Sequence, residues 1–291
     1  MFALSFGRPR GGPGEVDSVE EILLEARGDG VALITLNRPD SLNALTGPMF
    51  AALAAMLAEC ERDRSVRCVA LTGAGRAFCA GGDVKAMAGL ASRDSAGRSG
   101  STAGFVDRTV AELRAWHEAT SLKLHVMPKP TVAIVNGVAA GAGFSLALAC
   151  DLRLCSDRGR FGTAFRNVGL SGDFGASYFL PRVVGGGRAR ELFFTAEILD
   201  AARALELGIA NRVFQHDELM ERALEFCAGL AAGPTGAFAR MKENLNLAET
   251  ASLKAVLDQE AFYQRYGRLS ADHKEAAQAF VEKRDPQFVG E

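Results

Sequence analysis

The sequence predicts an α/β body followed by a helical C-terminal region. Three observations carry this. Short, unbroken apolar runs ("RCVALTG", "TVAIVNG" and "DLRLCS") have the length and content of buried strands. Between them, apolar residues recur at helical spacing, as Phe50, Leu53, Ala54 and Leu57 do. From Gly185 onward the pattern is nearly all helical, in "RARELFFTA", "DAARALELG", "DELMERALEFCAGLA", "TGAFARMKENLNLA" and "SLKAVLDQEAFYQRYGRL". The expected organisation is a loose extension over 1–18, an α/β core over 19–195 and a helical region over 196–291.

Taken in order, "EEILLEARG" and "VALITLNRP" are β-rich runs separated by "GDG", a hairpin signal. Pro39 ends the second run. Thr46 then fits an N-cap, with Pro48 in the first turn, for a helix from Met49 to Arg62. The strand "RCVALTG" leads into a loop, "GAGRAFCAGGDV", and a short helix is expected from Val84 to Leu90. Residues 89–104 are Gly, Ser and Ala with few large apolar groups. They cannot bury enough surface to offset their ordering entropy, so a mobile segment is expected. Helical periodicity returns from Phe105 to Lys123, and Pro128 and Pro130 break it before "TVAIVNG". "GAGFSLALA" then reads as a short helix and "DLRLCS" as a strand.

Composition narrows the function classes. Across 291 residues, 48% are apolar and 23% charged, enough for a substantial core. A net charge of −2 argues against a nucleic-acid partner. The six cysteines are scattered without a C-x-x-C pair, and the four histidines show no metal-ligand spacing, so neither a disulfide framework nor a metal site is expected. The N-terminus lacks the apolar core of a secretory signal, and no run approaches the roughly 18 apolar residues that span a bilayer. A soluble, cytoplasmic protein is expected.

The densest run of small residues, "VNGVAAGAGFSLALACDLRLCSD" over 135–157, implies that a backbone comes very close to something. One reading is a dinucleotide site, with Gly141-Ala142-Gly143 opening G-x-G-x-x-G. Leu146 at the third glycine position and the short spacing to Asp157 argue against it. A second is a serine hydrolase, with Ser145 in "GFSLA" as nucleophile and Asp173 and His216 as partners. A third pairs this run with "GRAFCAGGDV". Two adjacent strand ends would offer two backbone N–H donors to one oxygen, and losing one such donor typically costs about 10²–10³ in rate.

Taken together, "NRPDSLNAL", "AFCAGGDV", "PKPTVAIVNGVAAGAGFSLALACDLRL", "GLSGDFGASYFLPRVVG" and "AFVEKRDPQF" resemble the enoyl-CoA hydratase/isomerase, or crotonase, family, in order and over nearly the whole chain beyond the first eighteen residues. The resemblance implies a superhelix of β-β-α turns with a C-terminal helical trimerisation region, giving a homotrimer or, where trimers pair as they often do in the family, a hexamer. It implies acyl-CoA thioester substrates, with no cofactor beyond the coenzyme A carried by the substrate. Matched by position, the two oxyanion donors are Gly82 and Ala142, where the family usually has glycine at the second position. Of the two glutamates used by hydratase members, the first matches Ser145 and the second Phe165, and neither is an acid here. Asp173 matches the carboxylate of isomerase-like members and the nucleophilic aspartate of chlorobenzoyl-CoA dehalogenases. For the aromatic–His pair of those dehalogenases, the second position reads here as Arg166 or Glu118, not His. A helix-capping role is the structural alternative for Asp173.

One carboxylate suffices to remove a proton from one carbon and return it to another, so isomerisation is favoured over hydration. Glu118 is the remote second candidate. By family position, Ser41, Leu42, Ala44, Ala80, Asp83 and Val84 wrap the pantetheine and adenine, with Phe280 and Lys283 reaching a neighbouring subunit's nucleotide. Many members have Lys or Arg where Ser41 stands.

Overall fold

The structure, a computed structural model, describes residues 20–83 and 102–291, with side chains from 106 in the second segment. The helix expected from Val84 and most of the 89–104 segment lie outside the described residues. Residues 102–104 open a helix, so the expectation of mobility does not extend to them.

Strands β1 (Ile22–Ala26) and β2 (Val31–Leu36) form the expected antiparallel hairpin. Helix α1 (Gly47–Arg62) follows, its first turn held by Thr46, whose hydroxyl accepts from Met49 N–H. Next come β3 (Cys68–Gly73), β4 (Ala77–Cys79) and α2 (Thr102–His117). A π-helical segment (Glu118–Leu122) joins α2 to α3 (Lys123–Val126). The pattern repeats as β5 (Thr131–Val135), β6 (Val138–Ala140) and α4 (Ala142–Ala149), and again as β7 (Leu152–Ser156), β8 (Arg160–Gly162) and α5 (Ala176–Val184). Each turn therefore gives one strand to each of two sheets before its helix.

After α6 (Gly186–Thr195) come β9 (Leu199–Asp200), α7 (Ala201–Glu206) and β10 (Arg212–Phe214). The last four helices are α8 (Leu219–Ala231), α9 (Thr235–Ala248), α10 (Leu253–Gly267) and α11 (Ala271–Glu282). One sheet has the order β1-β2-β3-β5-β7-β10 and the other β4-β6-β8-β9. Apart from the pairs β1/β2 and β8/β9, the strands run parallel. β3 and β5 are buried along their whole length, as expected of parallel strands covered on both faces.

Two expectations need correction. "AFC" is a strand, not loop, because its partner β6 lies alongside it. The nearly all-helical stretch from Gly185 also holds two short strands outside that expectation: β9 and β10 stand at the edges of the two sheets. Strands of two or three residues carry too little periodicity to be seen locally.

The larger hydrophobic cluster joins α1, α4 and α5 to the sheets. A second lies between the six-stranded sheet and α8. Helix α9 is tied to the body by Lys242, which is buried and donates to Asp151 at 2.9 Å and to Leu124 O at 2.9 Å.

Candidate active site

The two small-residue runs meet. β4 pairs with β6 in parallel (Cys79 opposite Ala139), so the turns that follow the two strands leave the same sheet edge side by side. A Cβ built on Gly81 would lie 3.0 Å from Ala140 O and 3.5 Å from Ala142 N. At Gly143 a Cβ would lie 2.3 Å from Cys79 O, so any side chain there would force α4 off the strand. The packing explanation of "GAG" thus holds for Gly143.

Among the described residues, two backbone N–H groups at this junction, those of Gly82 and Ala142, have no acceptor. Leu45 and Gly82 form a parallel bridge in which Leu45 N–H donates to Gly81 O at 2.8 Å and Asp83 N–H to Leu45 O at 3.1 Å. Because alternate N–H groups of extended backbone point opposite ways, the N–H of Gly82 faces away from Leu45. Ala142 is the first residue of α4, where N–H groups have no intrahelical acceptor. Its methyl is buried. Cys79 lies beneath, accepting from Gly81 N–H at 3.4 Å, and burial pushes its thiol up to about 12. At neutral pH it brings no negative charge to the junction.

The segments matched to coenzyme A binding are stitched together. Ala80 N–H donates to Leu42 O at 2.9 Å, in addition to the two bonds at Leu45. Leu42 and Asn43 both have left-handed backbone, and the buried Asn43 amide spans the turn by donating to Ala74 O and Ala77 O. Such strain persists only where surrounding bonds hold it. Ser41 is exposed at the end of a 3₁₀ turn (Pro39–Ser41), Ala44 O accepts from Arg38, and Asp83 pairs with Arg38 at 3.3 Å. Val84 lies outside the described residues. Phe280 and Lys283 are exposed at the end of α11.

Asp173 sits in a loop of unusual backbone. Gly172, Phe174 and Gly175 all have positive φ, and for Phe174 (φ 49°) this is a strained choice. At Gly175 an added Cβ would lie 2.5 Å from the Phe179 ring. The Asp173 carboxylate is not the cap of α5: that helix has Gly175 at its N-cap and no side-chain capping bond. Instead Oδ1 accepts from Phe174 N–H at 3.0 Å and lies 2.5 Å from His117 Nε2.

His117 is the residue beside Asp173 that the sequence did not reveal; it stands one position before Glu118, which with Arg166 is the sequence reading of the second position of the dehalogenase pair. Glu118 itself is exposed, and Arg166 donates to Phe194 O. His117 sets its ring edge-on against Phe174 at 4.5 Å, and Phe174 stacks on Phe50, which stacks on Trp116. Phe165 is buried and stacks on Phe193.

Ser145 lies in the first turns of α4, fully buried, and its hydroxyl donates to Gly141 O at 3.0 Å. His216 is bonded to Ser156 instead, at 2.9 Å. The serine, the histidine and Asp173 are not brought together. The dinucleotide reading also finds no support, since Leu146 is core and Asp157 lies in the turn after β7.

Comparison with known proteins agrees with this architecture. The sequence profile described as "Enoyl-CoA hydratase/isomerase" matches residues 26–291. The chain is 38% identical over 270 residues to the 1,2-epoxyphenylacetyl-CoA isomerase of Escherichia coli (strain K12), covering 93% of this chain and 99% of that protein. It is 34% identical over 234 residues to the 4-chlorobenzoyl coenzyme A dehalogenase-1 of an Arthrobacter species, covering 80% of each. The crystal structure of an enoyl-CoA hydratase from Bacillus anthracis superposes with a TM-score of 0.82 at 30% identity, covering 94% of this chain and 100% of that one. The paired sheets, the stacked β-β-α turns and a match over residues 26–291 lead to one conclusion: this chain belongs to the enoyl-CoA hydratase/isomerase family, and it is an enzyme acting on CoA thioesters.

Proposed function

We propose that this enzyme isomerises an unsaturated acyl-CoA. In this reading Asp173 is the acid/base, and the N–H groups of Gly82 and Ala142 bind the thioester oxygen. Asp173 takes a proton from one carbon, the electron pair moves into the thioester carbonyl, and the resulting oxyanion is held by the two donors. The same carboxyl then returns the proton to a second carbon. Nothing is added or lost, so no water and no cofactor beyond the substrate's own coenzyme A is required.

The observation that carries this reading is the state of the three candidate proton carriers. Ser145 is buried and bonded to a backbone carbonyl, and Phe165 has no proton to move. Only Asp173 is partly exposed with one oxygen, Oδ2, that accepts nothing among the described residues. Glu118, the other acid considered, faces solvent. The aromatic wall of Phe50, Trp116 and Phe174, with the name of the E. coli relative, makes ring-bearing acyl groups the first to test. Coenzyme A would lie along the stitched 41–45 and 80–83 segments.

The assembly proposed is a homotrimer or hexamer, supported by the exposed apolar side chains of α10 and α11. The compartment proposed is the cytoplasm, where the six buried, free cysteines stay reduced. No helix among the described residues is long and apolar enough to cross a membrane.

The test is a panel of enoyl-CoA and aryl-CoA thioesters, followed in D₂O by mass spectrometry. The expected outcome is double-bond migration, with deuterium incorporated to the extent that the partly exposed Asp173 carboxyl exchanges its proton with solvent between the two steps. Turnover should fall about 10²–10⁴-fold in Asp173→Asn with thioester binding kept. Full activity in that variant would refute the assignment.

A further inference from the structure

We propose that His117 is a positioning residue for Asp173, fixing which of its two oxygens exchanges protons with substrate. The proposal rests on Asp173 being the acid/base.

Three features of the structure meet at this carboxylate. First, Oδ1 is held from two directions, by Phe174 N–H at 3.0 Å and by His117 Nε2 at 2.5 Å, while Oδ2 has no partner among the described residues. With the imidazole in its Nε2–H tautomer, both neighbours donate and Oδ1 accepts both. A carboxylate pinned at one oxygen cannot rotate about its Cβ–Cγ bond without losing both bonds. Oδ2 is therefore presented in one direction.

Second, the imidazole is itself held. Its edge packs on the Phe174 ring at 4.5 Å, so the residue whose backbone binds Oδ1 also steadies the ring that binds Oδ1. Phe174 has left-handed backbone at φ 49°, a strained conformation for a bulky residue. That conformation accompanies both contacts: its N–H faces the carboxylate, and its side chain is buried among the core aromatics.

Third, the helix that carries His117 changes form at this point. α2 ends at His117 and the next five residues are π-helical. Such turns are rare and collect at functional sites. The altered backbone is secured locally: Thr120 hydroxyl donates to Trp116 O at 2.6 Å and Ser121 hydroxyl to His117 O at 3.2 Å.

Proton transfer then runs through Oδ2 in both half-reactions. The proton leaves one carbon for Oδ2 while the electron pair passes to the thioester oxygen. It leaves Oδ2 for the second carbon as the electrons return. His117 gains and loses no proton over the cycle. Its contribution is geometric, and misplacement of a reacting group by about 1 Å costs on the order of 10²-fold.

Two substitutions separate this role from its alternatives. His117→Phe keeps the ring against Phe174 and removes the donor. His117→Gln keeps an N–H at nearly the same place and removes the ability to exchange protons. The expected result is a fall of about 10²-fold in kcat for His117→Phe with KM little changed, and recovery of most of that loss in His117→Gln. Deuterium exchange into the acyl chain, measured separately, should fall in step with kcat. Wild-type kcat in His117→Phe would overturn the proposal, as would equal loss in both variants, since that makes the imidazole a proton carrier or a packing element. Asp173→Asn, run alongside, isolates the premise: if it keeps exchange, the acid/base assignment fails, whereas lost exchange there with normal His117→Phe turnover sinks only the positioning role.

Discussion

The junction after β4 and β6 and the pair of helices α10 and α11 differ in how they satisfy their own chemistry. At the junction the chain closes on itself: Asn43 is fully buried and bonded, Leu45 is zipped to Gly81 and Asp83, and Gly143 leaves no room for even a methyl. Helix α10 buries none of its residues, and Leu253 (74% exposed), Phe262 (63%) and, on α11, Phe280 (86%) face outward. Scattered exposed apolar residues are ordinary; several large ones on successive helices are what the proposed assembly would cover. Among the described residues, the junction is packed and bonded within the chain, whereas the two helices leave large apolar side chains exposed.

Several substitutions probe that difference, beginning with the largest effect. Below the loss expected for Asp173→Asn stands Ala142→Pro. Proline is tolerated at the first position of a helix, so this change removes the N–H with little harm to α4. Turnover should fall about 10²–10³-fold with the circular dichroism spectrum unchanged, while Ala142→Gly stays close to wild type. A folded proline variant with full activity would break the idea that the junction acts through its backbone.

A change in mass rather than rate should come from the arm. Wild type is expected to scatter light as a trimer or hexamer at micromolar concentration. Leu257→Glu combined with Phe262→Glu should shift it toward monomer, because burying unpaired carboxylates in an apolar contact is costly. A wild-type monomer at that concentration would contradict the proposed assembly.

The smallest effect is expected at Ser145→Ala. The hydroxyl donates to Gly141 O within its own helix, so its loss should cost about 1 kcal/mol of stability or less and leave kcat nearly unchanged. Loss of activity in this variant, with Asp173→Asn active, would restore the serine as nucleophile.

Much of this was legible from local pattern. The hairpin, the Thr46 cap, the strands β3, β5 and β7 and the helix opening at Ala142 each follow from a few neighbouring residues. The meeting of "AFCAGG" with "VAAGAG" was also foreseeable, since small residues at two strand ends fit only where backbones touch. What escaped was non-local. β9 and β10 are too short to announce themselves and exist because a sheet edge awaits them. His117 is 56 residues from its partner, and nothing around it in "LRAWHEAT" differs from an ordinary helix end. Asp173, in a loop, was separable from a helix cap by sequence only through resemblance. In the structure its side chain makes no capping bond to α5.

The π-helical turn has one more consequence, for register. A turn closed by five residues where four would serve amounts to a single-residue insertion inside a helix. Every side chain before it is rotated by about 100° relative to an uninterrupted helix. Whichever residue faces Asp173 is therefore set by whether that insertion is present, and two chains of otherwise matching sequence would present neighbouring positions to the same carboxylate. Deleting one residue from 118–122 would turn His117 aside. The site's second group can thus be exchanged by a change in chain length, with no side chain at the site itself substituted.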